Sequence, residues 1–326
     1  MVATATGDLS TALDSVLGAA GLGPVAAVRR RPSAYRTGFP LEEIEVGLES
    51  GERLRLACKE VSWQGLSAEA RLAKPRFLHD PWREGAVYAT VLAAGEPGPP
   101  CYYGSAEASG RCLLFVEWVR GRELYQVGER ELWEEVAVWL GRTHARLARE
   151  LEGHVAAGRL VEHDAAFHRR WMRRAVEYSR ARPAPDAAAI EWLAARHEPV
   201  VEALATLPRT VLHGDFNASN VLVGEGPSPR VAPVDWELAA SGPGLSDLAS
   251  LVSGGWRAED REALAAAYCL GRGECLDDSV RRGLDLARLQ LAIQWLGWAP
   301  PEWVPPPAQR HDWLATAVEL VEELGL

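Results

Sequence analysis

The sequence holds five cysteines in 326 residues, and no two stand as a C-x-x-C pair. The odd set (Cys58, Cys101, Cys112, Cys269 and Cys275) argues against a disulfide framework and against a zinc site. A reducing cytoplasm is the expected setting. Long apolar runs are missing too. No stretch reaches the roughly 18 residues that a membrane span requires, so no membrane partner is expected. The opening MVATATGDLSTALDSVLGAAGLG has no basic segment ahead of an apolar one. It reads as a short helix over about Ser10–Ala20. Basic charge is not in excess: the formal net charge is −10. Binding a nucleic-acid backbone needs clustered Lys and Arg, so nucleic acid is not an expected partner. The pattern G-x-x-x-x-G-K-[ST] is absent, which removes the P-loop nucleotide enzymes. No internal repeat is present.

What is there is an ordinary globular composition, 48% hydrophobic and 25% charged, long enough for one large or two moderate domains. PVAAVRRR and EEIEVGL are strand candidates. LRLACKEV alternates: Leu54, Leu56 and Cys58 point one way, Arg55, Ala57 and Lys59 the other. Glu49–Glu52 reads as the hairpin turn between the last two strands. A helix follows, with Asp80 as N-cap, Pro81 at the first helical position and Val87, Tyr88, Val91 and Leu92 as its apolar stripe. The Gly/Pro-rich AAGEPGPPCYYGS ends it, and RCLLFVEWV is a further strand. Beyond it the pattern turns helical. Glu129–Gly153 is amphipathic, with Trp133, Val136, Leu140 and Leu147 at helical spacing. Helices are also expected over Asp164–Arg180 and Asp186–Leu207. TVLHG, VLVGE and RVAPVDWE form a small β insert before a helical remainder. The expected architecture is α+β and bilobal: residues 1–118 as one lobe with an antiparallel sheet and a helix, 119–326 as a mainly helical second lobe.

The insert contains the most informative stretch. In HGDFNASN, Asp215 precedes Asn220 by five residues on one short loop between two strands, and VDWE supplies Asp235 fifteen residues further on. Gly, Asp and Asn populate turns for local backbone reasons, so the tripeptide HGD alone is equally a turn. The spaced Asn220 and Asp235 add what phosphoryl transfer needs: a carboxylate near the acceptor hydroxyl and hard oxygen ligands for Mg2+.

HGDFNASNVLV followed by VDWE resembles the aminoglycoside phosphotransferase and choline kinase-like group of small-molecule kinases, which share the protein kinase-like fold. The resemblance runs from about Val25 to Leu251. It implies that Asp215 is the catalytic base, that Asn220 and Asp235 bind Mg2+, and that His213 braces the loop. Lys59 matches the phosphate-gripping lysine and Glu84 the helix glutamate that pairs with it. LLFVEWVRGREL resembles the hinge, whose backbone around Glu117–Val119 would meet the adenine. His144 resembles a core histidine, and Asp247 in GLSDLASL an anchor for the catalytic loop. One departure stands out: RRPSAYRTGFP replaces the glycine triplet over the phosphates. Backbone N–H groups and Ser33, Tyr35 or Thr37 would serve there instead.

The implied reaction is transfer of the γ-phosphoryl of ATP, with GTP as the alternative donor, to a hydroxyl of a small molecule. Aminoglycosides and other hydroxylated natural products are the first acceptor class. A metabolic acceptor such as choline, homoserine, a fructosamine or a sugar is the second, and a nucleotide-binding pseudokinase the third. Candidate acceptor walls are Glu237, Asp164, Trp171, Trp256, Trp295, Trp298 and Trp303, drawn from an unusually large set of 13 tryptophans. The expected assembly is a monomer or a homodimer.

Overall fold

The computed structural model describes residues 6–33, 35, 38–93, 98–157, 159–224, 229–304 and 310–326. Helix α1 (Thr6–Ala19) starts earlier than its sequence pattern suggests. It is tied to strand β1 (Val25–Pro32) by the Val25 N–H, which donates to Asp14 Oδ1 at 2.8 Å. β2 (Leu41–Leu48) and β3 (Arg53–Glu60) complete an antiparallel meander. Gly51, at φ 88°, closes the turn between them where an L side chain would be strained.

The full sheet has the order β1-β2-β3-β5-β4, with β4 (Tyr102–Ala108) and β5 (Arg111–Glu117). β4 is absent from the sequence reading, which places part of it in the Gly/Pro-rich terminator. Its Gly104 explains why alternation fails there: at φ 154° it lets Val16 of α1 come within 2.7 Å of where a Cβ would sit. One face of the sheet carries Ile44, Val46, Leu56, Cys58 and Phe115 and packs against Leu13, Val16 and Leu17 of α1. The alternation of β3 therefore turns Lys59 to the opposite face.

Between β3 and β4 lie α2 (Ala68–Ala73) and α3 (Arg83–Ala86), which continues as a wider π turn over Val87–Val91. Asp80 is not the N-cap. Its Oδ1 accepts from the Trp82 N–H at 2.9 Å, and the helix begins only at Arg83, so Pro81 lies in the preceding turn. Val87, Tyr88, Val91 and Leu92 are all buried, as the apolar stripe requires.

The C-terminal part is mostly helical. After β6 (Arg122–Glu123), the helix expected over Glu129–Gly153 divides into α4 (Arg130–Ala148) and α5 (Leu151–Ala157). β7 (Val161–Glu162) precedes α6 (Ala165–Ser179), whose N-cap is Asp164: its Oδ1 accepts from the Phe167 N–H at 2.7 Å. The helix expected over Asp186–Leu207 also divides, into α7 (Ala184–Ala194) and α8 (His197–Ala205). Pro199 accounts for that break, since a proline is tolerated in a first turn and not in a helix interior.

β8 (Arg209–Leu212), β9 (Val221–Val223), β10 (Val231–Pro233) and β11 (Ala240–Pro243) follow. They form two three-stranded sheets, β10-β9-β6 and β7-β11-β8. The strands on either side of HGDFNASN thus belong to different sheets. Helices α9 (Leu245–Leu251), α10 (Ala258–Arg272), α11 (Asp278–Leu296) and α12 (Trp313–Leu324) complete the chain. Among the described residues no helix is long and apolar enough to cross a membrane.

The C-terminal core depends on a close crossing of α4 and α10. A Cβ on Gly141 would lie 2.1 Å from the Tyr268 carbonyl oxygen, and one on Gly271 2.2 Å from that of Val138. Backbone cannot yield as a flexible side chain does. Gly141→Ala is therefore expected to lower the unfolding free energy by about 1–3 kcal/mol. Gly128→Ala, which meets nothing within 4 Å, should be near neutral. Urea unfolding of both variants checks the contrast through the midpoint at unchanged slope.

Candidate active site

A cleft of about 1650 Å3 separates the cleft face of the five-stranded sheet from the C-terminal helices. Lys59 reaches into it from β3. Its Nζ donates to Glu84 Oε2 of α3 at 2.7 Å and to Asp235 Oδ1, just beyond β10, at 2.5 Å. Burial alone would strip Lys59 of its proton, but the charges of Asp235, Glu84 and Glu237 outweigh it and raise the Lys59 pKa. Glu84 is pushed up to about 7, chiefly by burial, against the pull of Lys59. Asp235 is also penalised by burial, yet Lys59 holds its carboxyl below the usual range. Asp235 thus carries the charge that faces the lysine. Its backbone is left-handed, at φ 68° and ψ 58°, a conformation that non-glycine residues seldom adopt.

The HGDFNASN loop is held from behind. Asp247 of α9 accepts the N–H groups of His213 and Gly214 at 2.7 and 3.0 Å, and its Oδ2 lies 3.3 Å from His144 Nε2. Gly214, at φ 82°, runs so close to the Leu238 carbonyl that a Cβ would sit 2.1 Å from it. His213 is buried, which lowers its pKa. Its Nε2 donates to the Val234 carbonyl at 2.9 Å, and its Nδ1 accepts from the Asp215 N–H at 3.3 Å. One neutral imidazole thus links the loop to the residue before Asp235.

On the cleft side, Asp215 Oδ1 accepts from Asn217 Nδ2 at 2.8 Å and Oδ2 from Asn220 Nδ2 at 3.0 Å. Desolvation and then the charge of Asp235 push Asp215 up to about 7. With its nitrogen committed to Asp215, the amide oxygen of Asn220 is left for another partner. Among the described residues no group of three His, Cys, Asp or Glu side chains could hold a metal ion.

Lys59, Glu84, Asp215, Asn220 and Asp235 thus line one cleft, with Glu117 and Val119 on its wall. The Glu117 side chain forms a bidentate ion pair with Arg230, at 2.7 and 2.9 Å. Its N–H donates to the Cys101 carbonyl at 2.8 Å, and that of Trp118 to Arg55 at 2.9 Å. The Val119 N–H makes no such bond among the described residues. Ser33 stands apart: it is buried outside the cleft, with its Oγ accepting from the Tyr35 N–H at 3.0 Å. Tyr35 does line the cleft, and Thr37 lies outside the described residues.

Of the acceptor-wall candidates, Glu237, Trp295, Trp298 and Trp303 line the cleft. Asp164 is spent on capping α6, Trp171 is fully buried and stacked on Trp298 at 5.6 Å, and Trp256 packs on Trp133. Sequence reasoning missed Lys74, which pairs with Glu237, and Arg83, which donates to the Leu78 and Glu237 carbonyls. Nothing in their local pattern marks either residue.

A carboxyl whose pKa is raised on folding weakens the fold once it must ionise. For Asp215 that penalty is complete above about pH 7 and is gone near its ordinary pKa of 3.8. Asp215→Asn is therefore expected to stabilise the protein by on the order of 1 kcal/mol at pH 8, with the gain fading by about pH 4. Thermal unfolding across that range measures it. Asp247→Ala should act in the opposite direction, costing about 3 kcal/mol because two buried N–H groups lose their acceptor.

The profile of a phosphotransferase enzyme family, APH, matches residues 70–286. No curated protein sequence matches the chain. Among solved structures, the GDP complex of aminoglycoside 2'-phosphotransferase-IIIa is 17% identical, with 97% of each chain covered and a TM-score of 0.58. Spectinomycin phosphotransferase, in complex with ADP and spectinomycin, is 13% identical, covering 99% of this chain and 98% of that one, with a TM-score of 0.54. A microcompartment-associated aminopropanol kinase is 15% identical, covering 94% and 95%, with a TM-score of 0.57. At these identities the likeness is one of fold, the kinase-like arrangement of sheet and helices. The family profile spans well over half of the sequence, and the chain belongs to the APH phosphotransferase enzyme family.

Proposed function

We propose that this phosphotransferase moves the γ-phosphoryl of ATP, or of GTP, to a hydroxyl of a hydroxylated small molecule in the cytoplasm. The observation that carries the reading is the Lys59 ammonium bridging Glu84 and Asp235 beside the hydrogen-bonded Asp215–Asn220 pair. Residues 1–118 would form the nucleotide-binding lobe and 119–326 the catalytic lobe. The structural neighbours include a GDP complex and an ADP complex.

Lys59, steadied by Glu84, grips the nucleotide phosphates and is released from Asp235 as they arrive. The Val119 N–H faces the base edge, because the two residues before it, Glu117 and Trp118, already donate to the Cys101 and Arg55 carbonyls. The Glu117 side chain acts differently: its ion pair with Arg230 holds the hinge to the strand that leads to Asp235. Ser33 is given no phosphate contact, and Tyr35 takes its place as the side chain of that loop on the cleft.

The Asn220 amide oxygen and the Asp235 carboxylate are a hard donor pair that would hold Mg2+. When bound, Mg2+ offsets charge on the phosphate oxygens. Asp215 orients the acceptor O–H and takes its proton as the new O–P bond forms and the bond from the γ-phosphorus to the β-bridging oxygen breaks. Both Asp215 oxygens already accept hydrogen bonds and keep a lone pair each for that proton.

Asp215→Ala is expected to reduce kcat by at least about 10²-fold while leaving ATP affinity close to wild type. Retention of most activity in a coupled ATP-consumption assay would assign the proton elsewhere. Asp235→Ala should abolish the Mg2+-dependent part of nucleotide affinity in calorimetry, and an unchanged Mg2+ response would remove Asp235 from the metal site.

A further inference from the structure

Lys74 ends the short helix α2, which is fastened to the loop between β1 and β2. The Ser67 hydroxyl caps the helix by accepting from the Ala70 N–H at 3.0 Å, and the Ser67 N–H donates to the Gly38 carbonyl at 3.4 Å. The Lys74 N–H closes the other end on the Ala70 carbonyl at 2.9 Å. From there the side chain reaches across the cleft and pairs with Glu237. Both residues line the large cleft, and neither takes part in the phosphotransfer steps above.

This pair repeats the one made by Lys59. Asp235 and Glu237 stand two residues apart, and each holds an ammonium group that comes from the sheet side. One ring lies against both charges: the Phe39 centroid is 5.5 Å from Lys59 Nζ and 4.8 Å from Lys74 Nζ. The two ammonium groups are therefore no further apart than those distances laid end to end. A triphosphate with a hydrogen bond at each end covers that span. The charge of Glu237 acts on Lys59 and Asp215, and that of Lys74 on Asp235. The second pair thus lies at the reacting end of the cleft, where the terminal phosphate meets the acceptor.

The loop that stands in place of the glycine triplet leaves work for such a group. Among the described residues it gives the cleft only Tyr35, Gly38 and Phe39, none of them charged. Lys74 has the donors to spare. An ammonium carries three, and Glu237 is its one hydrogen-bond partner among the described residues. A lysine is also a compact charge on a flexible stem, able to turn from a carboxylate to a phosphate oxygen without moving the backbone.

We propose that Lys74 is a second phosphate-binding lysine, which exchanges Glu237 for an oxygen of the γ-phosphoryl group when ATP binds. Glu237 keeps the ammonium paired until that exchange, as Asp235 does for Lys59. The assignment rests on the phosphotransfer reading above and deepens it, giving the transferred phosphate a cation of its own.

The test is calorimetry on the full-length protein with Mg2+, using ADP and the non-hydrolysable β,γ-imido analogue of ATP. The quantity read is the ratio of the two affinities. Lys74→Met is expected to lower the analogue's affinity relative to ADP by at least about 10-fold, the loss of one charge-assisted hydrogen bond, with ADP affinity nearly unchanged. Lys74→Met leaves Glu237 without its partner, so the double variant Lys74→Met/Glu237→Gln, which removes both charges, should show the same lowered ratio in a protein free of that imbalance. Glu237→Gln alone, measured in chelator, should raise the ratio by freeing the lysine.

An unchanged ratio in the double variant overturns the proposal. So does an equal loss of affinity for both nucleotides in Lys74→Met and Glu237→Gln alike, which would make the pair a strut across the cleft. Arg120→Gln removes another cation of the cleft wall, next to the hinge. A ratio lowered there as much as in Lys74→Met would reveal a general effect of charge and would also overturn the contact. Wild-type protein that binds neither nucleotide refutes the kinase reading itself, whereas normal binding with an unmoved ratio refutes Lys74 alone.

Discussion

One buried ammonium organises this molecule. Lys59 stands on the sheet, Glu84 on the helix packed beneath it and Asp235 on the C-terminal side of the cleft. A charge taken out of water is costly unless it is paired and hydrogen-bonded. The lysine therefore forces its two partners into place, and with them the elements that carry them. Around it the carboxylates outnumber the ammonium groups: Glu84, Asp235, Glu237 and Asp215 face only Lys59 and Lys74. The described residues thus leave this part of the cleft with an excess of negative charge.

Around that ionic centre the backbone supplies rigidity. Asp247 does not point its charge at open cleft but spends it on two N–H groups of the loop. His144 supports Asp247, and Tyr268 supports His144 through a 3.0 Å contact. Tyr268 belongs to α10 and His144 to α4, the two helices that cross at Gly141 and Gly271. The placement of Asp215 is therefore coupled to how closely two helices that do not line the cleft can pack. A loop that joins strands of different sheets needs this outside support, because no shared ladder fixes its two ends.

The readable parts of the sequence were those in which spacing along the chain encodes geometry. Asp215 and Asn220 lie on one short loop, and the alternation of β3 assigns Lys59 a face directly. The helix that begins at Asp164 shows in its own periodicity, although Asp164 itself, expected on the acceptor wall, caps α6 instead. Failures came where distant contacts override local pattern. β4 is hidden because its glycine answers to Val16 of another element. The long helices divide at positions that periodicity alone does not flag. Ser33 has the right chemistry for phosphate but folds back on Tyr35. Lys74, Arg83 and Arg230 find partners across 163, 154 and 113 positions of sequence, and nothing periodic records such a pairing. The acceptor side was the least legible, since the walls of the recess behind Asp215 come together only because α6 and α11 pack against each other.

The separation between Lys59 and Asp235 is 176 positions, whereas Glu84 is only 25 positions from Lys59. On a ribosome the first pair is complete long before Asp235 has been made. The sequence thus places one carboxylate for the lysine within the same lobe, and the other far along the chain. Closing the larger loop costs more chain entropy and belongs to the slow end of folding. The site therefore cannot exist until both sides of the cleft have been synthesised.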